Sequence, residues 1–342
     1  MSEAYRRAGV DLGAGARAVE LIREIASGAG RPELAEGVGG FAGLFDLGDG
    51  RLLAAATDGV GTKVEVARLA GRLDTIGIDL VAMCADDVVC AGAEPVFFLD
   101  YLAVGRVVPE RVAAIVAGVA EGCRRAGCAL LGGETAEHPG VMDEDAFDLA
   151  GFCVGVAGRD DVLGADRVEP GDVLVGLASS GLHANGFALV RRALLDEAGF
   201  ALEAVVPPLR RPLVDELLEP TAIYAPVVLE LARAGLVHAA AHVTGGGLLE
   251  NVRRVVPGDL DVVVEWGSWP EPPIFEVIRA ATGGSEDGLR ATFNLGVGMA
   301  LLVPERLVGE VVDRAGRAGV QGFAIGRIDG AGSRPRGSTP AD

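Results

Sequence analysis

Apolar and polar positions along the chain follow two rhythms, one suited to strands and one to helices. Short apolar runs ending at turn residues predict strands over 51–57, 96–104, 128–132, 147–157, 172–178, 260–265, 296–303 and 321–328. Helical patterning predicts helices near 16–27, 74–92, 109–127, 186–198, 220–234, 247–255, 273–281 and 304–318. Asp74 is the expected N-cap of the second of these. Pro109 opens the third and Gly127 closes it. Residues 1–50 are otherwise irregular, with a Gly-rich stretch, EGVGGFAGL, at 36–44. Charge and a Pro-Gly turn interrupt the apolar pattern at 159–171. The expectation is an α/β (α+β) chain with domains at 1–165 and 166–330. The remaining residues, 331–342 (AGSRPRGSTPAD), have no periodicity and read as a disordered tail.

Composition narrows the function classes. The 342 residues carry 30 Lys+Arg against 49 Asp+Glu, a net charge of −19. That balance argues against a general nucleic-acid or anionic-membrane binder. It leaves room for a local phosphate site lined by backbone. Half the residues are apolar, which excludes disorder for most of the chain. The five cysteines (Cys84, Cys90, Cys123, Cys128 and Cys153) form no C-x-x-C pair and read as free thiols. The N-terminus has no apolar signal core. The most apolar stretch, 76–104, is broken by Asp79, Asp86, Asp87, Glu94, Pro95 and Asp100, so it is not a membrane span. A cytoplasmic protein is expected. One count stands out: Lys63 is the only lysine.

That lysine ends T-D-G-V-G-T-K, 57–63, where a strand gives way to a carboxylate, two glycines and a hydroxyl. Gly59 and Gly61 leave room for backbone N–H groups to approach phosphate oxygens, beside Thr62. Asp58 suits Mg²⁺ and Lys63 could offset phosphate charge. The spacing does not fit G-x-x-x-x-G-K-[ST], and the alternative is a plain turn with a surface lysine. On the 74–92 helix, Asp87 shares a stripe with Ile76, Leu80, Met83 and Cys90, with Asp79 and Asp86 on the flank. A buried carboxylate there needs a metal, a cation or donors. Glu134 and Thr135 follow a Gly-Gly strand end in L-G-G-E-T-A-E-H-P-G. Three acids from separate element ends (Asp58, Asp87 and Glu134) suit Mg²⁺ shared with a phosphate.

Further on, S-S-G-L-H-A-N-G, 179–186, presents His183 and Asn185 from a loop. Thr244, Gly245, Gly246 and Gly247 precede a helix and form a plausible phosphate cradle, a flexible linker being the alternative. His238 and His242 are spaced i, i+4 but lack H-E-x-x-H and a third ligand, so zinc is disfavoured. No strand–G-x-G-x-x-G–helix unit supports a Rossmann oxidoreductase.

Together these strings resemble the phosphoribosylformylglycinamidine cyclo-ligase (aminoimidazole ribonucleotide synthetase) family of the ATP-binding PurM-like superfamily. The resemblance runs from about residue 5 to 328 through Y-R-R-A-G-V-D (5–11), T-D-G-V-G-T-K, D-T-I-G-I-D-L-V-A-M-C (74–84), G-A-E-P-V-F-F-L-D-Y (92–101) and G-G-E-T-A-E-H-P-G (132–140). It continues in F-D-L-A-G-F-C-V-G-V (147–156), S-S-G-L-H-A-N-G, H-V-T-G-G-G (242–247) and T-F-N-L-G-V-G-M (292–299). It implies a PurM-like fold whose N-terminal domain shares a β-barrel with a second copy in a homodimer. The C-terminal domain would be a mixed sheet with helices. It implies ATP- and Mg²⁺-dependent closure of formylglycinamidine ribonucleotide (FGAM) to aminoimidazole ribonucleotide (AIR), releasing ADP and phosphate.

The resemblance also assigns roles. Asp58, Asp87 and Glu134 would hold magnesium. Gly59, Gly61, Thr62, Lys63 and Thr135 would line ATP. His183, Asn185 and Lys63 would serve the chemistry, and Thr244–Gly247 the substrate phosphate. The chain departs from the usual G-V-D-I-D-A-G-N in having Gly13 and Ala16, so an N-terminal contact rests on Asp11 alone. It also has Asp86 where an Asn is common, which predicts an added charge beside the metal site. Related enzymes compete less well. Selenophosphate synthetase would need a reactive N-terminal Cys, and the hydrogenase-maturation dehydratase a C-terminal one; neither is present. Thiamine-monophosphate kinase and a non-catalytic assembly protein are the other rivals; the retained acids disfavour the second.

Overall fold

The computed structural model describes residues 8–10 and 12–330. Among them a first group of strands is β1 (Leu34–Glu36), β2 (Gly43–Asp46), β3 (Arg51–Gly59), β4 (Glu94–Val104), β5 (Ala129–Glu137) and β6 (Phe147–Gly158). They hydrogen-bond in the order β1-β2-β3-β6-β4-β5. Every pair is antiparallel except β4 and β5. A parallel pair needs a long crossover, and a helix supplies it. The helices are α1 (Leu12–Ser27), α2 (Lys63–Ala70), α3 (Ile76–Cys90) and this crossover, α4 (Pro109–Ala126).

The second sheet comprises β7 (Val173–Ala178), β8 (Ala239–His242), β9 (Leu260–Val264), β10 (Val297–Val303) and β11 (Gly322–Gly330), in the order β8-β10-β7-β11-β9, all antiparallel. Its principal helices are α5 (Ala225–Arg233), α6 (Gly247–Arg253), α7 (Ile274–Thr282) and α8 (Val308–Arg317). β10 is buried along its whole length, as an all-apolar strand between two neighbours should be.

Helix α3 is the spine of the molecule. It packs on β3 and β6 of the first sheet, on α4, and on β8 and α5 of the second half. Every residue of α3 is buried except Asp87. Its approach to α4 is close because Gly77 has no side chain. A Cβ there would collide with the backbone of Ile115, Gly118 and Val119.

Most predicted elements occur within a few residues of their expected ends. The differences have local causes. β1 and β2 arise from the stretch read as irregular, where short strands with glycines carry little rhythm. β5 runs on through Gly132 and Gly133 to Glu137, because its ladder with β4 continues. The helix expected from 220 starts only at Ala225, and the preceding residues are held by side chains of α3. Helix 186–198 is α-helical only at Phe187–Val190 and continues with wider π turns. Asp74 is not the N-cap of α3. Thr75 takes that place, without a side-chain cap bond. Asp11 and the tail 331–342 lie outside the described residues. No described helix is long and apolar enough to cross a membrane.

Candidate active site

Three elements meet where β3 ends. Asp58 lies opposite Gly151 in the β3–β6 ladder, and Gly151 faces Leu80 and Cys84 of α3. The pleat therefore sends Asp58 to the α3 side of the sheet. Asp87, the exception on α3, has a side chain 17% exposed. His242 at the end of β8 brings its Nδ1 to 2.9 Å from Asp87 Oδ1. Asp58 Oδ1 accepts from the Gly59 N–H at 2.7 Å.

Two carboxylates and a buried imidazole thus converge from both sheets. Asp58 keeps solvent access, but desolvation by the surrounding protein, with the charge of Asp87 adding, raises its carboxyl above its ordinary value against the Gly59 hydrogen bond. Burial alone would lower His242, but the bond to Asp87 and the charges of Asp87, Asp86 and Asp58 prevail, so its pKa is raised. Its Nε2 is buried without a partner. Sequence reasoning missed His242 in this role. Its signals were the H-V-T-G-G-G string and the i, i+4 spacing from His238, and neither pointed to Asp87.

Glu134 does not join them. The ladders align Asp58 with Gly151, Asp100 and then Gly133, so Glu134 lies three strand spacings away, ~14 Å. It is also one residue out of that row, on the opposite face, and exposed with Thr135. Among the described residues no three His, Cys, Asp or Glu side chains are arranged to hold a metal ion. Within one chain, the expected three-acid set is therefore not brought together: Glu134 stands apart from Asp58 and Asp87.

Lys63 needs a second correction. Gly61 and Thr62 are exposed at the start of α2, but the Lys63 side chain is 0% exposed. Its Nζ donates to Asp79 Oδ1 (2.8 Å), to the His183 carbonyl (3.0 Å) and to the Glu219 carbonyl (2.8 Å). An ammonium has three protons, and all three are used inside the protein. No proton is left for an ATP phosphate. Burial lowers the Lys63 ammonium and raises the Asp79 carboxyl, each opposed by the charge of the other.

The acids of α3 also divide otherwise than predicted. Asp79 and Asp86, expected on the flank, are fully buried. Asp79 Oδ1 accepts from the Thr221 N–H (2.8 Å) and hydroxyl (2.6 Å). Asp86 Oδ1 accepts from the Tyr224 and Ala225 N–H groups, both at 2.8 Å, at the start of α5. Burial raises Asp86 to about 7, with His242 and these two donors opposing. The carboxylate expected beside the metal is instead spent on a helix end.

His183 is buried, with a left-handed backbone at φ 62°. Its Nε2 accepts from the Ser180 N–H at 3.2 Å, and its Nδ1 is buried without a partner. Burial, with the charges of His242 and Lys63, holds it well below the ordinary value, so the ring is neutral. It lies against Tyr224, whose hydroxyl donates to the Ala178 carbonyl at 2.7 Å. Gly298 makes both positions possible, since a Cβ there would collide with the Tyr224 hydroxyl and the His183 ring. Asn185 is half-buried, and its Nδ2 lies 3.8 Å from Met83 Sδ on α3.

The Thr244–Gly247 loop is a fixed turn, not a flexible linker. Asn251 Nδ2 donates to the carbonyls of Thr244, Gly245 and Gly247. Gly245 is exposed and borders Asn185, so the structure brings these two predicted loops together. Separately, a cavity of about 600 Å³ has Phe41, Leu44, Leu52, Arg159 and Arg254 in its wall, and none of the predicted site residues. Its Arg159 is paired with Asp46. Its Arg254 donates to the Gly40 carbonyl and covers the Phe41 ring.

Comparisons with known proteins agree with this picture. Residues 39–157 match the family described as AIR synthase related protein, N-terminal domain, and residues 169–335 its C-terminal domain. Phosphoribosylformylglycinamidine cyclo-ligase of Geobacillus kaustophilus is 47% identical over 332 residues, 96% of each chain. A solved structure from Thermus thermophilus superposes with a TM-score of 0.64 at 25% identity, covering 91% of this chain and 93% of that one. Thermotoga maritima PurL complexed with ATP gives 0.59 at 17% identity, covering 87% and 44%.

Fold and site together define a PurM-like, AIR-synthase-related enzyme of mixed α/β architecture. More narrowly, the chain belongs to the phosphoribosylformylglycinamidine cyclo-ligase family and is a ligase.

Proposed function

We propose that this chain closes the imidazole ring of AIR from FGAM at the expense of ATP, in purine biosynthesis and in the cytoplasm. The observation that carries the reading is the facing pair Asp58 and Asp87 at the junction of the two sheets, beside the His183–Asn185 loop. In this reaction the formyl oxygen of FGAM takes the γ-phosphoryl group of ATP and ADP leaves. The amidine nitrogen then attacks the activated carbon, the C–O bond breaks, and phosphate departs. The structural relative with bound ATP supports nucleotide use by this fold.

Asp58 and Asp87 fit Mg²⁺, because the charge of Asp87 adds to the cost of ionising Asp58 and a hard cation with oxygen ligands relieves it. Bound there, the ion would neutralise charge on the transferring phosphoryl group. Gly59, Gly61 and Thr62 would border the nucleotide phosphates. Asn185, half-buried, would face the reacting carbon, with the neutral, buried His183 seated behind it in the same loop. The turn at Thr244–Gly247 would receive the ribose phosphate through its exposed Gly245.

We also read the chain as a homodimer joined through the first sheet. The face away from α3 exposes Tyr101 and Phe152, and Leu131 on edge strand β5 is 63% exposed. An apolar face of this kind marks a protein contact. Glu134, opposite Tyr101, lies on that face, so its place in an ATP site would depend on the second copy, whereas Thr135, opposite the buried Leu102, points to the α3 side. Leu131→Asp should turn the dimer into a monomer in sedimentation, and a wild type that sediments as a monomer refutes this part.

The reaction is tested by incubating the protein with ATP, Mg²⁺ and FGAM and measuring AIR and ADP together. ADP release independent of FGAM, or no AIR, refutes the assignment.

A further inference from the structure

We propose that Lys63, Asp79 and Asp86 form a buried positioning bracket that sets the His183–Asn185 loop against α3, the helix that carries Asp87. The inference rests on the ring-closing reading for its kinetic consequences, but its geometry stands apart from it. Asp79 and Asp86 are seven residues apart on α3, two turns, and so share a face. Both reach into one segment of the second half, residues 219–225. Asp79 takes Thr221, and Asp86 takes the amides of Tyr224 and Ala225. Lys63 closes the bracket by binding Asp79 and the Glu219 carbonyl.

The same segment then holds the His183 loop. Ser180 Oγ donates to the Pro220 carbonyl at 2.6 Å, and the Tyr224 ring rests against His183. Lys63 reaches the His183 carbonyl directly, at a residue whose left-handed backbone is costly for a side chain with a Cβ. Something must hold that conformation, and the third proton of the ammonium does so. Because Asp87 is on α3 as well, one helix fixes Asp87 and, through the bracket, the His183 loop. None of the three bracket side chains is exposed, so none touches substrate. They are positioning residues.

A misplaced reacting group costs about 100-fold in turnover, whereas a lost phosphate contact shows in nucleotide affinity. Lys63→Met is therefore expected to lower kcat by about 100-fold while leaving the Kd for ATP, measured by calorimetry, within about 3-fold. Thr221→Val removes one donor to Asp79 with little change of shape and guards against a misfolded first variant. It is expected to lower kcat by about 3- to 10-fold with a smaller fall in thermal midpoint than Lys63→Met shows. Retained kcat in folded Lys63→Met, or a loss confined to ATP affinity, overturns the bracket.

A second readout needs no turnover. The His183 imidazole nitrogen resonances, assigned through His183→Gln, are expected to shift in both variants and not in Arg124→Ala, whose side chain is 72% exposed on α4. Unshifted resonances overturn the bracket. If wild-type protein makes no AIR, the ring-closing reading falls alone, and these resonances still decide the bracket.

Discussion

Asp86 and Asp87 are adjacent on one helix and have opposite fates. Asp86 turns inward and is used by two backbone amides of α5. Asp87 turns toward Asp58 and the half-open junction, with a single histidine as partner. The same contrast holds for the wider groups. The Lys63–Asp79 pair is closed, with every ammonium proton placed, whereas the Asp58–Asp87 pair sets like charge against like. A carboxylate whose partners are all protein holds the fold together. One left facing another acid is poised for a cation that the protein does not supply.

The largest expected effect tests the open pair. Asp87→Asn or Asp58→Asn should cut AIR formation by about 100-fold or more, because charge placement carries most of phosphoryl-transfer catalysis. Asp58→Asn should not lower the thermal midpoint, since it removes a repulsion. A large loss of stability without loss of turnover would erase the contrast. Next, the closed pair: Asp79→Ala leaves the Lys63 ammonium buried and unmatched. It should cost about 3–5 kcal/mol in denaturant titration. A change within experimental error would mean that water reaches Lys63.

A smaller effect is expected at the floor of the His183 loop. Gly298→Ala pushes on Tyr224 and His183 and should cost about 1–3 kcal/mol in unfolding experiments, with a parallel fall in kcat. The smallest concerns pH. His183 is held well below its ordinary 6.5, so below pH 6.5 the unfolded chain binds a proton that the native chain refuses. Its contribution is complete above pH 6.5 and is lost as pH falls. The stability of wild type should therefore drop more steeply between pH 6.5 and 5.5 than that of His183→Gln, by up to about 1.4 kcal/mol. Equal slopes would mean that the ring is solvated.

Much of the fold was legible because long elements carry strong rhythm. The strand at 147–157 and the helix at 109–127 occur almost as patterned, the latter ending on Gly127 with φ 77°. β1 and β2 were not, since strands of three and four residues are too short to show alternation. At the site, Asp58 and Asp87 were legible as acids at element ends. The roles of Lys63 and Glu134 were not. A motif shows that a lysine and a glycine loop are adjacent in sequence, but not which way the first turn of α2 points. Spacing likewise cannot reveal that Glu134 is on a strand three places away and one residue out of phase. Apolar neighbours flagged the three acids of α3, but only the fold could name Thr221, Tyr224 and His242 as their partners.

The sealed ammonium has a practical side. Lys63 is the only side-chain amine in the chain, and in the native state it is out of reach. An amine-directed acylating reagent should therefore leave it untouched until the junction between the two sheets parts. The rate at which Lys63 acquires label becomes a clock for that opening, read by mass spectrometry from a single atom.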